Sequence, residues 1–361
     1  MKICIVLGTR PEIIKMSPLI RLFERENIDF FVIHSNQHYS KNMDSIFFDE
    51  LHLPQPKYNL GIGSADHGNQ TGRMLMKIEE ILLKEHPTVV LAQGDTNTVL
   101  AGILAAAKQN IPTGHVEAGL RSYDRRMPEE KNRIICDVLS DFLFAPTKLQ
   151  EKILKNEGIP VDKIFVVGNT IVDAVLQHKQ IAEKNSRILR QLQLNPKEFV
   201  LITAHRALNV DTKQTLQQLV TLIDSVSELT GQKVVYPIHP RTKAKLDQFG
   251  LSIQNAIITE PLGYTDFLSL EKNASLIITD SGGIQEEACI LHTPCITIRE
   301  NTERPETLEV GANILVGLSI EKLKKAVQYH TSHPPVWKNP FGSGNTAEQI
   351  LEVLTSQQSR L

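Results

Sequence analysis

Runs of Val, Ile, Leu and Phe alternate along the chain with longer segments in which apolar residues recur every three or four positions. The first half reads "KICIVL" with a helix after Pro11, "FFVIH", "TVVLA" with a helix through "LAGILAAA", "TGHV" with a helix after Pro128, then "DFLFA" and "KIFVV". Continuous apolar strands separated by helices predict a parallel sheet covered on both faces, because such strands have no face to offer to water. The beat restarts after a polar, helix-like stretch around Leu176 to Gln193, with "FVLIT", "KVVYPI", "AIIT", "SLIIT", "PCITI" and "NILV". The expected fold is therefore two doubly wound, Rossmann-like α/β domains facing a cleft, over 1–168 and 169–344, with the boundary near "VVGNTIVD". A last amphipathic helix, in 345–361, follows a proline-rich approach and can pack back on the N-terminal domain. In open parallel sheets ligands bind beyond the carboxyl ends of the strands, so the residues just after each strand carry the information about function.

Length supports this reading, since 361 residues suit two ordinary cores better than one. With 41% hydrophobic and 22% charged residues, the composition excludes disordered and fibrous classes. A net charge of −2 argues against general nucleic-acid binding, which needs a basic excess, yet a few local Arg and Lys suffice for an anionic small molecule. Cys4, Cys136, Cys289 and Cys295 lack CxxC spacing and read as reduced core residues. The run "ICIVLG" is too short for a signal segment and no long apolar run follows, so a cytoplasmic protein without membrane association is expected.

The strand ends share a polar character. After the first strand, "GTRPEIIKMSPLI" places Gly8 in a tight turn and Pro11 in a first helical turn, with Ile13, Met16, Ile20 and Phe23 as the buried stripe and Pro18 inside the helix as a kink. Arg10 and Lys15 then lie near a helix N-terminus, poor for helix stability but suited to holding an anion there. The alternative is a solvated arginine. "LAQGDTNT" offers Asp95, or an N-cap shared with Thr96. "HVEAGLRS" offers Glu117, and Glu129 with Glu130 follow Pro128. In the second half, "LITAHRALN" offers His205 and Arg206, and "YPIHPR" offers His239 and Arg241. In "SLIITDSGGIQEEA" a strand ends at a turn containing Ser281, Gly282 and Gly283. Two glycines let backbone approach a diphosphate at the helix start, and Glu286 or Glu287 one turn in can accept from ribose hydroxyls. A plain tight turn with an acidic first turn would read the same way.

No nicotinamide fingerprint accompanies these residues: "GSGNTA" follows a proline-rich loop and lacks a βαβ setting, and no P-loop is present. The histidines share no metal-ligand spacing, so no metal or other cofactor is expected. Paired carboxylates in different environments suit proton transfer. A sugar C2–H is too weakly acidic to remove directly. Without a nicotinamide to oxidise C3, the remaining route expels a C1 nucleotide diphosphate as the C2 proton leaves, forming a glycal, and then adds it back. That route needs a cationic and backbone cradle for the diphosphate together with carboxylates about C2.

In order, "GTRPEIIK", "QGDTNT", "HVEAGLRS" with Pro128-Glu129-Glu130 and Asn132-Arg133, "TAHR", "TDSGGIQEEA" and "ERPE" resemble the non-hydrolysing UDP-N-acetylglucosamine 2-epimerases over almost the whole chain. "QHYSKNMD" and "FFDEL" look most like the archaeal and related bacterial branch. The resemblance implies a glycosyltransferase-B-like fold and a homodimer without cofactor. It implies reversible conversion to UDP-N-acetylmannosamine through elimination and re-addition of UDP, supplying surface polysaccharide. It puts Asp95, Glu117, Glu129 and His205 in the catalytic set and Arg10, His239, Ser281 and Gly282 at the diphosphate, where the helix starts themselves also place Lys15 and Gly283. It puts Glu287 at the ribose. Tyr264 would lie against uracil or serve the core, and Arg304 would contact phosphate or shape the site. Residues matching Gln37, His38, Arg73, Arg206 and Glu130 or its neighbour bind a second, activating substrate molecule in many bacterial members. Leu208 replaces the family's usual glutamate there, so weak or absent substrate activation is expected. Rival readings are a glycosyltransferase of the same fold, an epimerase of a 2,3-diacetamido UDP-sugar, a hydrolysing epimerase and an idle sugar-nucleotide binder.

Overall fold

The protein is described by a computed structural model covering residues 1–37 and 48–357. His38, with most of "QHYSKNMD", lies outside the described residues. The chain divides into two compact units, Met1–Leu176 with Phe341–Leu361, and Gln177–Pro340. The crossing falls inside the helix Thr170–Asn185, later than the strand end at which the sequence suggested a boundary.

The first unit carries β1 (Lys2–Leu7), β2 (Asp29–His34), β3 (Tyr58–Asn59), β4 (Val89–Gln93), β5 (Thr113–Val116), β6 (Phe142–Ala145) and β7 (Ile164–Val166). Among the described residues they form one parallel sheet in the order β3-β2-β1-β4-β5-β6-β7. All but β3 were legible as apolar runs; β3 is two residues at an edge, too short to show a pattern. Helices cover both faces, and Ile3 to Leu7 are fully buried. The helix Arg10–Arg25 continues through Pro18 and buries Ile13, Met16, Ile20 and Phe23 as the periodicity predicts.

In the second unit, β8 (Phe199–Thr203), β9 (Lys233–Pro237), β10 (Ile257–Thr259), β11 (Leu276–Thr279), β12 (Cys295–Thr297) and β13 (Asn313–Leu315) form a parallel sheet in the order β10-β9-β8-β11-β12-β13. Alternate residues enter opposite cores: Val200, Ile202 and Ile278 on one face, Phe199, Leu201 and Ile277 on the other. Each such aliphatic side chain contributes about 1.5–3 kcal/mol by leaving water, which is why these runs dictate the sheet.

The last helix, Thr346–Ser356, belongs to the first unit: Ala347 N donates to Asp173 Oδ1 at 3.1 Å, and Arg25 reaches Glu348 at 3.5 Å. Gly342, at φ +106°, lets the returning chain lie on Gly168, whose Cα a Cβ on Gly342 would meet at 3.3 Å. The glycines of "GSGNTA" thus serve chain packing. All four cysteines are free and buried. Among the described residues no helix is long and apolar enough to cross a membrane.

Candidate active site

In each sheet the strand order reverses direction once, between β1 and β4 in the first unit and between β8 and β11 in the second. At such a point the loops leaving neighbouring strands run to opposite sides and open a crevice for ligands. The polar motifs sit at these two places.

In the first unit the register pairs Val6 with Ala92 and Gln93 with Val116, so the turns after β1, β4 and β5 lie side by side. Gly8 is required here: a Cβ would come within 2.0 Å of Ser35 Oγ and 2.4 Å of Thr98 Oγ1. Glu12, one turn into the helix Arg10–Arg25, folds back to accept Gly8 N (2.6 Å), Thr9 N (3.0 Å) and the Thr96 hydroxyl (2.5 Å). Burial raises its pKa to about 7 against the pull of those bonds, with Asp95 adding to the rise. Arg10 is half-buried in the first turn of that helix.

Glu117 is buried and adopts φ +72°, a left-handed conformation that a glutamate does not take without constraint. The constraint is visible, since Glu117 N and Ala118 N both donate to Phe144 O at 3.1 Å. Its carboxylate accepts from Lys15 Nζ (2.6 Å), from Gln93 Nε2 and from Asn169 Nδ2 (3.4 Å). Lys15, expected beside an anion at this helix start, has its ammonium on that carboxylate. It is buried in the helix interior, paired with Glu117 across the turn.

Asp95 is not the helix cap, a role Thr96 fills by accepting Val99 N. Instead its Oδ2 accepts from Arg133 Nη2 (2.5 Å) and Nε (3.0 Å). The same guanidinium donates through Nη1 to Glu130 Oε2 at 2.5 Å. Glu130, also a regulatory candidate by sequence, is buried and accepts Ser122 N, Ser122 Oγ and Tyr123 N at 2.9–3.0 Å, so it fastens the loop after β5. Its neighbour Glu129, half-buried on the helix Pro128–Leu139, has no hydrogen bond or ion pair among the described residues. Sequence reading missed Arg133, Gln93 and Asn169 as carboxylate partners. A signal existed for Arg133, because Glu130, Arg133 and Asp137 recur at helical spacing and form a buried polar face.

In the second unit Thr203 and Thr279 are register partners whose hydroxyls lie 2.7 Å apart. Beyond them, buried Asp280 accepts His205 N (3.0 Å), Arg206 N (2.9 Å) and Asn209 Nδ2 (3.0 Å), with His205 Nδ1 at 3.5 Å. Asp280 thereby positions the "TAHR" loop, a role sequence reading did not give it. Burial lowers the His205 pKa, Asp280 opposes the shift, and Arg206 and Arg241 reinforce it, so the ring is neutral near pH 7. His239, after β9, stacks on His205 at 5.0 Å between ring centres. As N-cap of the helix Pro240–Phe249, its Nδ1 accepts Arg241 N at 3.1 Å, which leaves Nε2 as the donor.

Ser281 is the N-cap of the helix Gly282–Ile290. A Cβ on Gly282 would meet the Arg304 guanidinium at 3.2 Å, whereas a Cβ on Gly283 would meet only Ser281 Oγ, at 4.0 Å. Gly283 thus leaves open backbone at a helix start, and Arg304, held by Glu286 (3.0 Å), lies beside it. Glu287 is buried in the same helix. Tyr264 is buried with its ring edge-to-face on His178 at 5.2 Å, a contact in keeping with the core alternative. Of the remaining regulatory candidates, Arg73 is exposed on the helix His67–Glu85 and Arg206 is half-buried. Gln37 accepts from Thr98 Oγ1 at 2.8 Å and so belongs to the turn after β1. Leu208 is 71% exposed. No His, Cys, Asp and Glu cluster of metal-holding geometry occurs among the described residues.

The family model described as UDP-N-acetylglucosamine 2-epimerase matches residues 21–355. The UDP-N-acetylglucosamine 2-epimerase of Methanocaldococcus jannaschii is 58% identical over 98% of this chain and 99% of its own. A crystal structure of that enzyme in complex with UDP-GlcNAc and UDP superposes with a TM-score of 0.94, covering 99% of this chain and 100% of the other. The UDP-2,3-diacetamido-2,3-dideoxy-D-glucuronate 2-epimerase of Pseudomonas aeruginosa is 39% identical over 98% of this chain and 99% of its own.

Proposed function

The chain belongs to the UDP-N-acetylglucosamine 2-epimerase family and is an isomerase of that sugar nucleotide, and from that premise we propose how its residues carry the reaction. The fold class is the pair of doubly wound α/β units that the strand pattern predicted, in the glycosyltransferase-B-like form that the resemblance implied. The second unit takes UDP: Gly282 and Gly283 at the helix start, Ser281, His239 and Arg304 receive the diphosphate, and Glu287 the ribose. The first unit takes the sugar, with Arg10 toward the diphosphate.

One carboxylate removes the C2 proton. The C2–H electron pair becomes the C1=C2 bond of a glycal, and the C1–O pair leaves with UDP. Re-addition of the UDP oxygen at C1 with proton delivery to the opposite face of C2 gives UDP-N-acetylmannosamine. The observation that carries this reading is the different company of Asp95, Glu117 and Glu129. Asp95 is matched by Arg133, Glu117 by buried Lys15, and Glu129 by no group among the described residues. A reaction that needs a base and an acid in turn needs carboxylates set apart in this way. Neutral His205 can donate to the departing diphosphate without a competing charge of its own. The active assembly is a homodimer, and the product serves surface polysaccharide synthesis.

Incubation with UDP-N-acetylglucosamine alone in heavy water tests the reading. The expected result is the manno isomer with deuterium at C2 in both epimers. Binding without exchange would identify an idle binder, net release of free sugar and UDP a hydrolysing enzyme, and turnover only with an added acceptor a glycosyltransferase. A UDP-2,3-diacetamido-glucuronate arm tests the alternative substrate that the Pseudomonas relative brings into question.

A further inference from the structure

His115 lies on β5 two positions before Glu117 and is fully buried. Its Nδ1 is 2.6 Å from Asp137 Oδ1, and its Nε2 is 2.8 Å from the carbonyl oxygen of Gly94. A carbonyl oxygen only accepts, so Nε2 carries a hydrogen. Asp137 also receives Arg121 Nη2 at 2.7 Å and Gly119 N at 3.2 Å, which makes it a carboxylate, and it accepts from Nδ1 as well. Acceptors on both sides require an imidazolium.

What this cation holds is the point of interest. Gly94 immediately precedes Asp95, and Gly119 follows Glu117 by two residues. Gly119 sits at φ +83°, and a Cβ there would strike Gln150 at 2.9 Å, so the turn has no slack. Arg121 is fixed in turn by Glu157 at 2.5 Å. The chain His115, Asp137, Gly119 and Arg121 thus links the turn bearing Asp95 to the turn bearing Glu117 through groups that are themselves buried.

We propose that protonated His115, with Asp137, is a positioning device for the acid-base pair: it fixes Asp95 through the Gly94 carbonyl and Glu117 through the Gly119 amide, so that losing its proton loosens both carboxylates together. The role rests on the epimerase reading above. The charged and titratable groups facing the ring are Asp137 on the helix Pro128–Leu139, with the Cys136 thiol, pushed well up by burial, beside it, and Arg121 in the loop after β5, backed by Glu157. Burial alone would lower the His115 pKa, but the charge and hydrogen bond of Asp137 and the Gly94 carbonyl outweigh it and raise it. The charged form is therefore the working form, and activity falls as pH rises through that raised value.

Two measurements test this. With histidine labelled with ¹⁵N, the wild-type protein without substrate should show at about pH 6.5, where an ordinary imidazole is half titrated, a predominantly protonated imidazolium with hydrogens on both nitrogens, a signal absent from His115→Gln. A neutral His115 there overturns the proposal with no variant needed. Asp137→Asn should lower kcat on UDP-N-acetylglucosamine by about 10²-fold, since small misplacement of catalytic groups has effects of that order. KM should change by less than about threefold and the alkaline limb of kcat should move to lower pH. A folded Asp137→Asn with the wild-type limb overturns the positioning role, because loss of stability alone would not move it. Wild-type inactivity beside an intact imidazolium signal overturns the reaction assigned above, and with it the role but not the charge of His115.

Discussion

Glu12 gives the sharpest quantitative test of the first-unit geometry. Its carboxyl is buried with no cation against it among the described residues, its pKa rises from 4.5 to about 7, and its bonds are two backbone amides on one oxygen and the Thr96 hydroxyl on the other. The folded protein therefore binds a proton that the unfolded chain has released between pH 4.5 and 7. Where the native state holds more protons, stability falls as pH rises, and above pH 7 the full difference has been lost. At about 1.4 kcal/mol for each pKa unit the loss is about 3 kcal/mol. Glutamine has the same outline as protonated Glu12: its carbonyl keeps Gly8 and Thr9, and its amide donates to Thr96 Oγ1. Glu12→Gln should then match wild type at pH 5 and exceed it at pH 8 by about 3 kcal/mol. For a unit of this size that is about 6–12 °C in Tm. Calorimetric melts of both proteins at the two pH values read this directly. A gap of equal size at both, or a variant less stable at pH 8, would show that Glu12 is ionised and supported by its three donors, and the burial argument would be wrong.

Two further substitutions probe the site. Lys15→Met should destabilise by about 3–5 kcal/mol, because it leaves Glu117 buried without its cation, and should lower turnover by about 10²-fold. Adding Glu117→Gln should restore most of the stability but none of the rate, and strictly additive melts in that cycle would refute the pairing. Gly283→Ala should leave Tm within about 1 °C, since among the described residues only Ser281 Oγ lies near, while weakening UDP binding at least tenfold by calorimetric titration. An unchanged Kd would remove the backbone of Gly283 from the diphosphate cradle.

Nearly all of both sheets could be read from the sequence, because a fully buried parallel strand must be a continuous apolar run and each run has little choice of partner. Asp95, Glu117, His205, His239 and the Ser281–Gly283 turn were singled out for the same reason: they directly follow those runs, and the doubly wound order puts strand ends at the crevice. What failed to show was partnership. Lys15 meets Glu117 across 102 positions of chain, and Arg133 meets Asp95 across 38. No local period encodes such distances, so the pairing of Lys15 with Glu117 could not be read from the helix end on which Lys15 lies. Glu129 and Glu130 make the same point within one turn. Side by side in sequence, they differ by the 100° between successive helical positions, enough to bury one against Arg133 and leave the other half-exposed. The helical period was sufficient to separate them, had the inner face been read as polar. An inward face carrying Glu130, Arg133 and Asp137 has no purpose in a packing core and is intelligible only if the strand ends it covers hold charges that must stay in place.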